Sequence, residues 1–432
     1  VTPLVVVPQF FGSLVFDRAT SRYYPFDRDA TDVLEALVHT PASTVVERHS
    51  DPDAALDLVR RLDPLSFLRP DGRLAGVRLD AVPPDDHLLG PLAVHVEVIA
   101  QCNLRCTHCF ADPLPRGGRD ALTLLELDGL FRELASLGSF RLGLTGGEPL
   151  LRKDLLDVLD AATDAGLHPC LTTNGFFLSD ELARELGRRD LVWLNVSLDG
   201  ATAATHDAVR GTGTFDTVVE RLRHVGDLAR FTLAFTITSD NAHEVDRCVS
   251  LAEELGAHTA VFRPVYPTGA ALNRPELMPT YETYQRALRT IAALSNDDDS
   301  SCAHVPLPGR AMDSFSPQAR ARTAGRVVQG DGCGAANTVC SVSVDGQVNP
   351  CSFLGSRFES ASIRERSFRE IWNDGWSFRK LRSIDSESFR GGCRARALAS
   401  GGSVHARDPW EREWRRSRME SPSRTLEVLI DD

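Results

Sequence analysis

The chain has no apolar run long enough to cross a bilayer. A membrane helix needs about 20 mostly apolar residues, and none of the 432 positions opens such a stretch. The opening Val1-Thr2-Pro3-Leu4-Val5-Val6-Val7 lacks the basic start and small-residue cleavage site of a signal peptide. The expected location is therefore cytoplasmic, with no membrane partner. Clustered Lys and Arg are also missing. The net charge is −12, the wrong sign for neutralising phosphates, so no nucleic-acid partner is expected. The one basic stretch, Arg407 to Arg424, is interleaved with Glu and reads as a solvated helix. A disulfide framework is absent as well. Ten cysteines in a chain this long do not make a stapled secreted fold. Seven of them fall in two groups, which points to metal ligation in a reducing compartment. What is present is a globular composition, 42% hydrophobic and 25% charged, at a length that suits two or three domains.

The first cysteine group is Cys102-Asn103-Leu104-Arg105-Cys106-Thr107-His108-Cys109. It follows Val94-His95-Val96-Glu97-Val98-Ile99, an alternating run that reads as a strand. Three thiolates can hold three corners of an iron–sulfur cubane and leave the fourth iron open to a small molecule, whereas a closed structural site has four ligands. Two other readings use the same residues. One is a zinc site, for which His108 sits between two cysteines with its ring badly aimed. The other is three unrelated buried thiols.

Around this loop, strand-like and helix-like runs alternate. Strands fit Val94–Ile99, Phe140–Leu144, His168–Leu171, Val192–Ser197, Phe231–Ile237 and Thr259–Phe262; helices fit Leu122–Leu137, Arg152–Ala165, Asp180–Leu186, Thr214–Leu228 and Ala242–Leu255. Such alternation means parallel strands with crossover helices, here a partial (β/α)6 barrel. Each strand runs into a polar or glycine-rich loop. In order these are the cysteine loop, Thr145-Gly146-Gly147-Glu148-Pro149, Thr172-Thr173-Asn174-Gly175, Ser197-Leu198-Asp199-Gly200, Thr238-Ser239-Asp240-Asn241 and the segment from Arg263 to Gly269. In a barrel these loops share the C-terminal face, where active sites are built. Gly146 and Gly147 allow close backbone approach to a ligand, and Glu148 can take an ammonium group. Taken singly, Asn174-Gly175 and Asp199-Gly200 are also ordinary turn pairs.

The cysteine spacing, with an aromatic residue just before Cys109, resembles the signature of the radical S-adenosylmethionine (SAM) superfamily. The resemblance implies that Cys102, Cys106 and Cys109 hold a 4Fe-4S cluster. Its open iron would chelate SAM, and one electron would release a 5′-deoxyadenosyl radical that abstracts hydrogen. Gly146, Gly147, Glu148 and Pro149 match the motif for the SAM amino group. Ser197 and Asp199 match positions contacting the SAM carboxylate or ribose, and Asn174 a ribose contact. Arg210, in His206-Asp207-Ala208-Val209-Arg210-Gly211, resembles the arginine that pairs with the SAM carboxylate.

The second cysteine group is Cys333, Cys340, Cys351 and Cys393, with a hairpin turn at Gly346-Gln347-Val348-Asn349-Pro350-Cys351. It resembles the SPASM/twitch extension of this superfamily, which implies that these four thiols close one auxiliary 4Fe-4S cluster. Further cysteines for a second cluster are missing. Arg390 stands where the family segment around Gly391-Gly392-Cys393-Arg394-Ala395-Arg396-Ala397 usually has Cys, Asp408-Pro409-Trp410 lies where a late cysteine is often seen, and no Cys-x-x-Cys precedes residue 390. A four-cysteine zinc site is the alternative. Sulfatase-maturing relatives carry an acid after the hairpin cysteine; here it is Ser352, and that activity is not expected. Cys170 and Cys248 read as buried filler. Cys302 reads as a loop cysteine, with hydrogen-atom donation the other reading.

Toward the N-terminus, Phe10–Asp17 and Ser21–Phe26 read as a hairpin, followed by a helix from Asp27 with Val33, Leu34 and Leu37 on one face. A second helix fits Asp53 to Leu62, and a wing fits Leu68 to Leu79. This winged-helix pattern resembles the PqqD-like peptide-recognition element, in which a leader peptide adds as a strand to the hairpin edge. A structural cap on the catalytic domain is a second reading. The expected division is 1–88 for this element, 89–300 for the radical SAM barrel and 301–432 for the SPASM/twitch domain, with Pro83-Pro84-Asp85-Asp86 as linker. The expected function is a radical SAM oxidoreductase that crosslinks or oxidises a ribosomally made precursor peptide, supplied with electrons by a flavodoxin or ferredoxin. The alternatives are oxidation or decarboxylation of a small molecule such as a tetrapyrrole or aminosugar, peptide epimerisation, and a non-enzymatic iron–sulfur carrier or sensor.

Overall fold

The computed structural model describes residues 3–111, 120–295, 333–384, 392–411 and 413. The expectations for Cys302 and Arg390, and for most of the helix over Arg407 to Arg424, lie outside the described residues. The chain begins with a four-stranded sheet of β1 (Leu4–Gln9), β2 (Gly12–Asp17), β3 (Arg22–Asp27) and β4 (Gly76–Arg78), in the order β3-β2-β1-β4. β2 and β3 are the expected hairpin. β1 had no counterpart in the sequence reading, because its run of apolar residues does not alternate with polar ones. The cause is burial on both faces. Val5 and Val7 join Leu14 and Phe16 in the core of the next domain, while Leu4 and Val6 pack with Val33, Leu34 and Leu37 of α1 (Arg28–His39).

Helix α1 starts where Asp27 caps it, its carboxylate accepting from Ala30 N at 2.9 Å. α2 (Ala42–Arg48), also unforeseen, and α3 (Pro52–Leu62) complete this layer. In place of a separate wing, Leu68 bridges Leu74 and β4 joins β1 in parallel.

Six parallel strands follow in sequential order: β5 (Ala93–Glu97), β6 (Arg141–Thr145), β7 (His168–Thr173), β8 (Trp193–Ser197), β9 (Thr232–Ile237) and β10 (Thr259–Pro264). Each lies within two residues of its expected bounds. The crossovers are α4 (Leu124–Ser136), α5 (Leu155–Asp164), α6 (Asp180–Gly187), α7 (Ala203–Arg210) with α8 (Thr214–Val225), and α9 (Val245–Glu254). The sheet does not stop at β5. A C-terminal hairpin, β11 (Val339–Val342) and β12 (Val348–Asn349), continues it, with β11 parallel to β5 so that Cys340 pairs with Val94. The six expected strands are all present, and the hairpin extends them to an eight-stranded sheet in which the second cysteine group is built onto β5, the edge strand of the barrel.

The N-terminal sheet is docked at the other end of the barrel strands. Phe16 stacks on Phe140 at 4.7 Å between ring centroids. The Tyr23 hydroxyl donates to Gly138 O and accepts from Phe140 N, both at 2.8 Å. Arg18 donates to Gly166 O at 2.8 Å. These partners all precede β6 and β7, opposite the loops that carry the functional residues. Among the described residues, no helix is long and apolar enough to cross a membrane.

Candidate active site

The loops at the C-terminal strand ends brace one another through their backbones. Gly146 has φ +140°, and a Cβ there would lie 2.4 Å from Ile99 O; at Gly147 a Cβ would lie 2.0 Å from Gln101 O. The amides of Gly147 and Glu148 donate to Ile99 O and Gln101 O, both at 2.7 Å. Only glycine lets β6's loop lie against the chain entering the cysteine loop. Glu148 is fully buried. Its carboxylate accepts from Thr173 Oγ1 at 2.6 Å, Asn174 N at 2.7 Å and Leu150 N at 3.0 Å. Burial raises its pKa, and these three donors work against that rise. Pro149 opens a short 3-10 turn, Pro149–Leu151. Asn174 donates to Asn103 Oδ1 at 2.8 Å and toward Cys102 Sγ at 3.9 Å, so the third loop also touches the cysteine loop.

Asp199, beyond the end of β8, is the electrostatic centre. It is fully buried, and its carboxylate holds His108 Nε2 at 2.9 Å, the Arg210 guanidinium at 2.5 Å and Thr236 N at 2.8 Å. Burial alone would raise its pKa; Arg210 and His108 reverse this and hold the carboxyl well below its usual range. Asn241 donates to Asp199 O at 3.0 Å. The Asp199 amide donates to His206 Nδ1 at 3.1 Å. Burial, then Arg210, push His206 down to about 4, so its ring is neutral. The ends of β8 and β9, the end of α7 and the cysteine loop thus meet at one carboxylate. Ser197, the last residue of β8, is buried beside it in sequence. The sequence reading marked Asp199 and Arg210 but not their mutual ion pair, nor the partnership with His108, which lies 91 positions away; no local pattern carries that contact.

The donor set fits a thiolate-held cluster and a small cosubstrate. Cys102, Cys106 and Cys109 are close enough to perturb one another electrostatically, and burial pushes the Cys106 thiol up to about 11, with Arg210 opposing. Metal binding would displace that proton. Among the described residues, two buried ring nitrogens beside the loop, His108 Nδ1 and His206 Nε2, have no partner, as expected where a polar ligand completes the site. Among the described residues, no three His, Cys, Asp or Glu side chains close around a point for a single metal ion.

The second cysteine group lies one layer out from the mouth. Cys340 and Cys351 perturb each other, as do Cys351 and Cys393, and burial raises all three, Cys351 to about 12. Cys333 packs against the same core. Between the two groups is a cavity of about 750 Å³. Gly146, Gly147 and Phe110 line its barrel side, and Asn349, Phe353 and Arg357 its hairpin side. Phe353 stacks on Tyr266 at 4.1 Å and meets Phe110 edge-on at 6.0 Å. Cys248 is buried in the core and Cys170 is partly buried on β7.

Comparison with known proteins agrees with this geometry. The radical SAM superfamily model matches residues 96–252, and a model described as an iron-sulfur cluster-binding domain matches residues 333–395. The AdoMet-dependent heme synthase of Methanosarcina barkeri is 32% identical over 342 residues, covering 74% of this chain and 96% of that protein. The mycofactocin maturase MftC of Mycobacterium tuberculosis is 29% identical over 336 residues, covering 74% and 82%. The PqqA peptide cyclase of Rhizobium meliloti is 28% identical over 340 residues, covering 74% and 87%. Among solved structures, Streptococcus suis SuiB bound to S-adenosylmethionine superposes with a TM-score of 0.70 at 15% identity, covering 94% of this chain and 98% of that one.

Proposed function

This chain belongs to the radical SAM superfamily, and from that premise we propose that it is an oxidative maturase of a ribosomally made precursor peptide. As an enzyme of this family with an iron–sulfur extension, it uses a SAM-binding 4Fe-4S cluster, SAM and auxiliary iron–sulfur. Bound together, cluster and SAM supply a 5′-deoxyadenosyl radical for hydrogen abstraction. In this reading Cys102, Cys106 and Cys109 hold the cluster, while Gly146, Gly147, Glu148 and Pro149 shape the backbone that meets the SAM amino group. Asn174, Ser197 and Asp199 order the loops around its ribose and carboxylate. Asp199 aims Arg210 and His108 and keeps a fixed buried charge pattern at the mouth. The cavity takes one segment of the peptide and excludes bulk water from it. Cys333, Cys340, Cys351 and Cys393 would hold one auxiliary cluster, which would supply a site for the electron given up when the substrate is oxidised. A flavodoxin or ferredoxin is the external donor.

The observation that carries the peptide reading is the N-terminal sheet. The heme synthase, the mycofactocin maturase and the PqqA peptide cyclase each match 74% of this chain, so the unmatched quarter does not separate the two readings, and the weight falls on the fold of the N-terminal sheet. SuiB, also solved with the precursor peptide SuiA, covers 94% of this chain. β3 is an edge strand of the four-stranded sheet, so a leader peptide can add to it as a further strand. The second reading, a polycarboxylate tetrapyrrole, draws on the heme synthase identity. It would call for several Arg or Lys in the cavity; among the described lining residues one Arg, Arg357, stands with two acids, Glu97 and Glu359. The test is co-expression with a candidate precursor peptide encoded beside the gene, followed by mass spectrometry. A mass loss of paired hydrogens in the core, abolished by removing residues 1–88, is expected. An unmodified peptide, or modification and binding that survive that deletion, would overturn the reading.

A further inference from the structure

The segment around Cys393 carries a charge arrangement that the roles above leave unused. Cys393 is the N-cap of the helix Arg394–Gly401. Arg396 reaches back over the same turn. Its guanidinium lies 4.0 Å from the Trp410 ring centroid. Nε and Nη2 are taken by Asp408, at 3.1 and 2.9 Å. Asp408 is fully buried and also accepts from Cys393 N at 2.6 Å and Trp410 N at 2.9 Å. The remaining nitrogen, Nη1, is buried, on a side chain only 7% exposed, and has no partner among the described residues. Burial opposes the charge on Arg396, and the neighbours that outweigh burial are Cys393 first and Asp408 second. A buried cation with a spare donor beside a thiol has one evident partner, the sulfur-rich anion that thiol would ligate.

We propose that Arg396, oriented by Asp408 and Trp410, is a positioning and tuning residue that raises the reduction potential of the auxiliary cluster and so makes it an electron acceptor. This rests on the reading that Cys333, Cys340, Cys351 and Cys393 hold that cluster. Potentials of such clusters follow net charge and hydrogen bonds to sulfur. A fixed positive group favours the reduced, more negative state through Coulomb attraction at low local dielectric. The substrate radical left by hydrogen abstraction would then give one electron to the auxiliary cluster and one proton to solvent, completing a two-electron oxidation.

The test uses the full chain with Cys102, Cys106 and Cys109 replaced by alanine, so that only auxiliary iron remains. Iron content and potentiometric titration followed by electron paramagnetic resonance are read for this background and for Arg396→Gln, Arg396→Lys and Asp408→Asn added to it. The expected result is about four irons throughout, a more negative potential in Arg396→Gln, recovery toward the parent in Arg396→Lys, and a more positive potential in Asp408→Asn. Shifts of opposite sign separate a charge effect from disturbed packing. Unmoved potentials, shifts of one sign, or iron loss in Arg396→Gln with iron kept in the parent would overturn the inference alone. A parent without iron would overturn the cluster reading and the inference with it.

Discussion

At the scale of single residues, the site is held by buried charges whose partners are all protein atoms. Asp199 carries the cysteine loop, through His108, and the end of α7, through Arg210. An unpaired carboxylate at such depth would cost several kcal/mol, so the pair and the fold are mutually dependent. His206 shows the same economy of charge. It is fully buried and held neutral, with its pKa lowered from 6.5 to about 4. Between those values the unfolded chain binds a proton that the folded chain does not, so stability falls as pH falls through that window. At 1.36 kcal/mol per unit, the loss is up to about 3 kcal/mol. Chemical denaturation at pH 7 and pH 4.5 should show the wild type losing more stability than His206→Asn, whose side chain can still accept from the Asp199 amide. Equal losses would show that His206 does not titrate as its surroundings require.

At the scale of elements, what matters is how one loop rests on another. The turn after β6 lies against the strand-to-cysteine segment with no room for a side chain at Gly147. Gly147→Ala must therefore displace Gln101 and the loop beyond it, and a displacement of about 1 Å at a reacting centre costs about 100-fold in rate. Gly129→Ala is the control. Its Cβ would meet nothing within 4 Å on exposed α4, and helix propensity should raise stability there by about 1 kcal/mol. SAM cleavage should fall steeply in the first variant and stay unchanged in the second; an active Gly147→Ala would remove the bracing role. The same scale explains what the sequence could show. The alternating strands β5 to β10 and the motif at the end of each were legible because strand period, glycine and cysteine spacing are local signals. β1 was hidden by burial on both faces, and α2 and α7 each bury a single apolar side chain, Val45 and Val209, too few to establish a helical period. The β11–β5 pairing, the His108–Asp199 contact and the Arg396–Asp408 pair join distant positions, and only the folded chain brings them together.

At the scale of the whole molecule, the parts stand in line. The N-terminal sheet is docked at the base of the barrel strands, the cysteine loop sits at their mouths, and the second cysteine group is joined by β11 to the edge of the same sheet. The cavity lies where an oxidised substrate would face both cysteine groups. In the proposed reading the three regions have separable roles, since the base contacts do not reach the mouth; because Val5, Val7, Leu14 and Phe16 pack in the barrel's core, loss of peptide binding on removing residues 1–88 is read in protein that still holds iron and cleaves SAM. In the proposed reading the chemistry itself depends on the first triad. The most direct measurement is 5′-deoxyadenosine released from SAM by anaerobically reconstituted, reduced protein, beside a variant with Cys102, Cys106 and Cys109 changed to alanine. The account predicts deoxyadenosine from the wild type and none from the variant. Iron-replete wild type that leaves SAM intact, or a variant that cleaves it equally well, would contradict it.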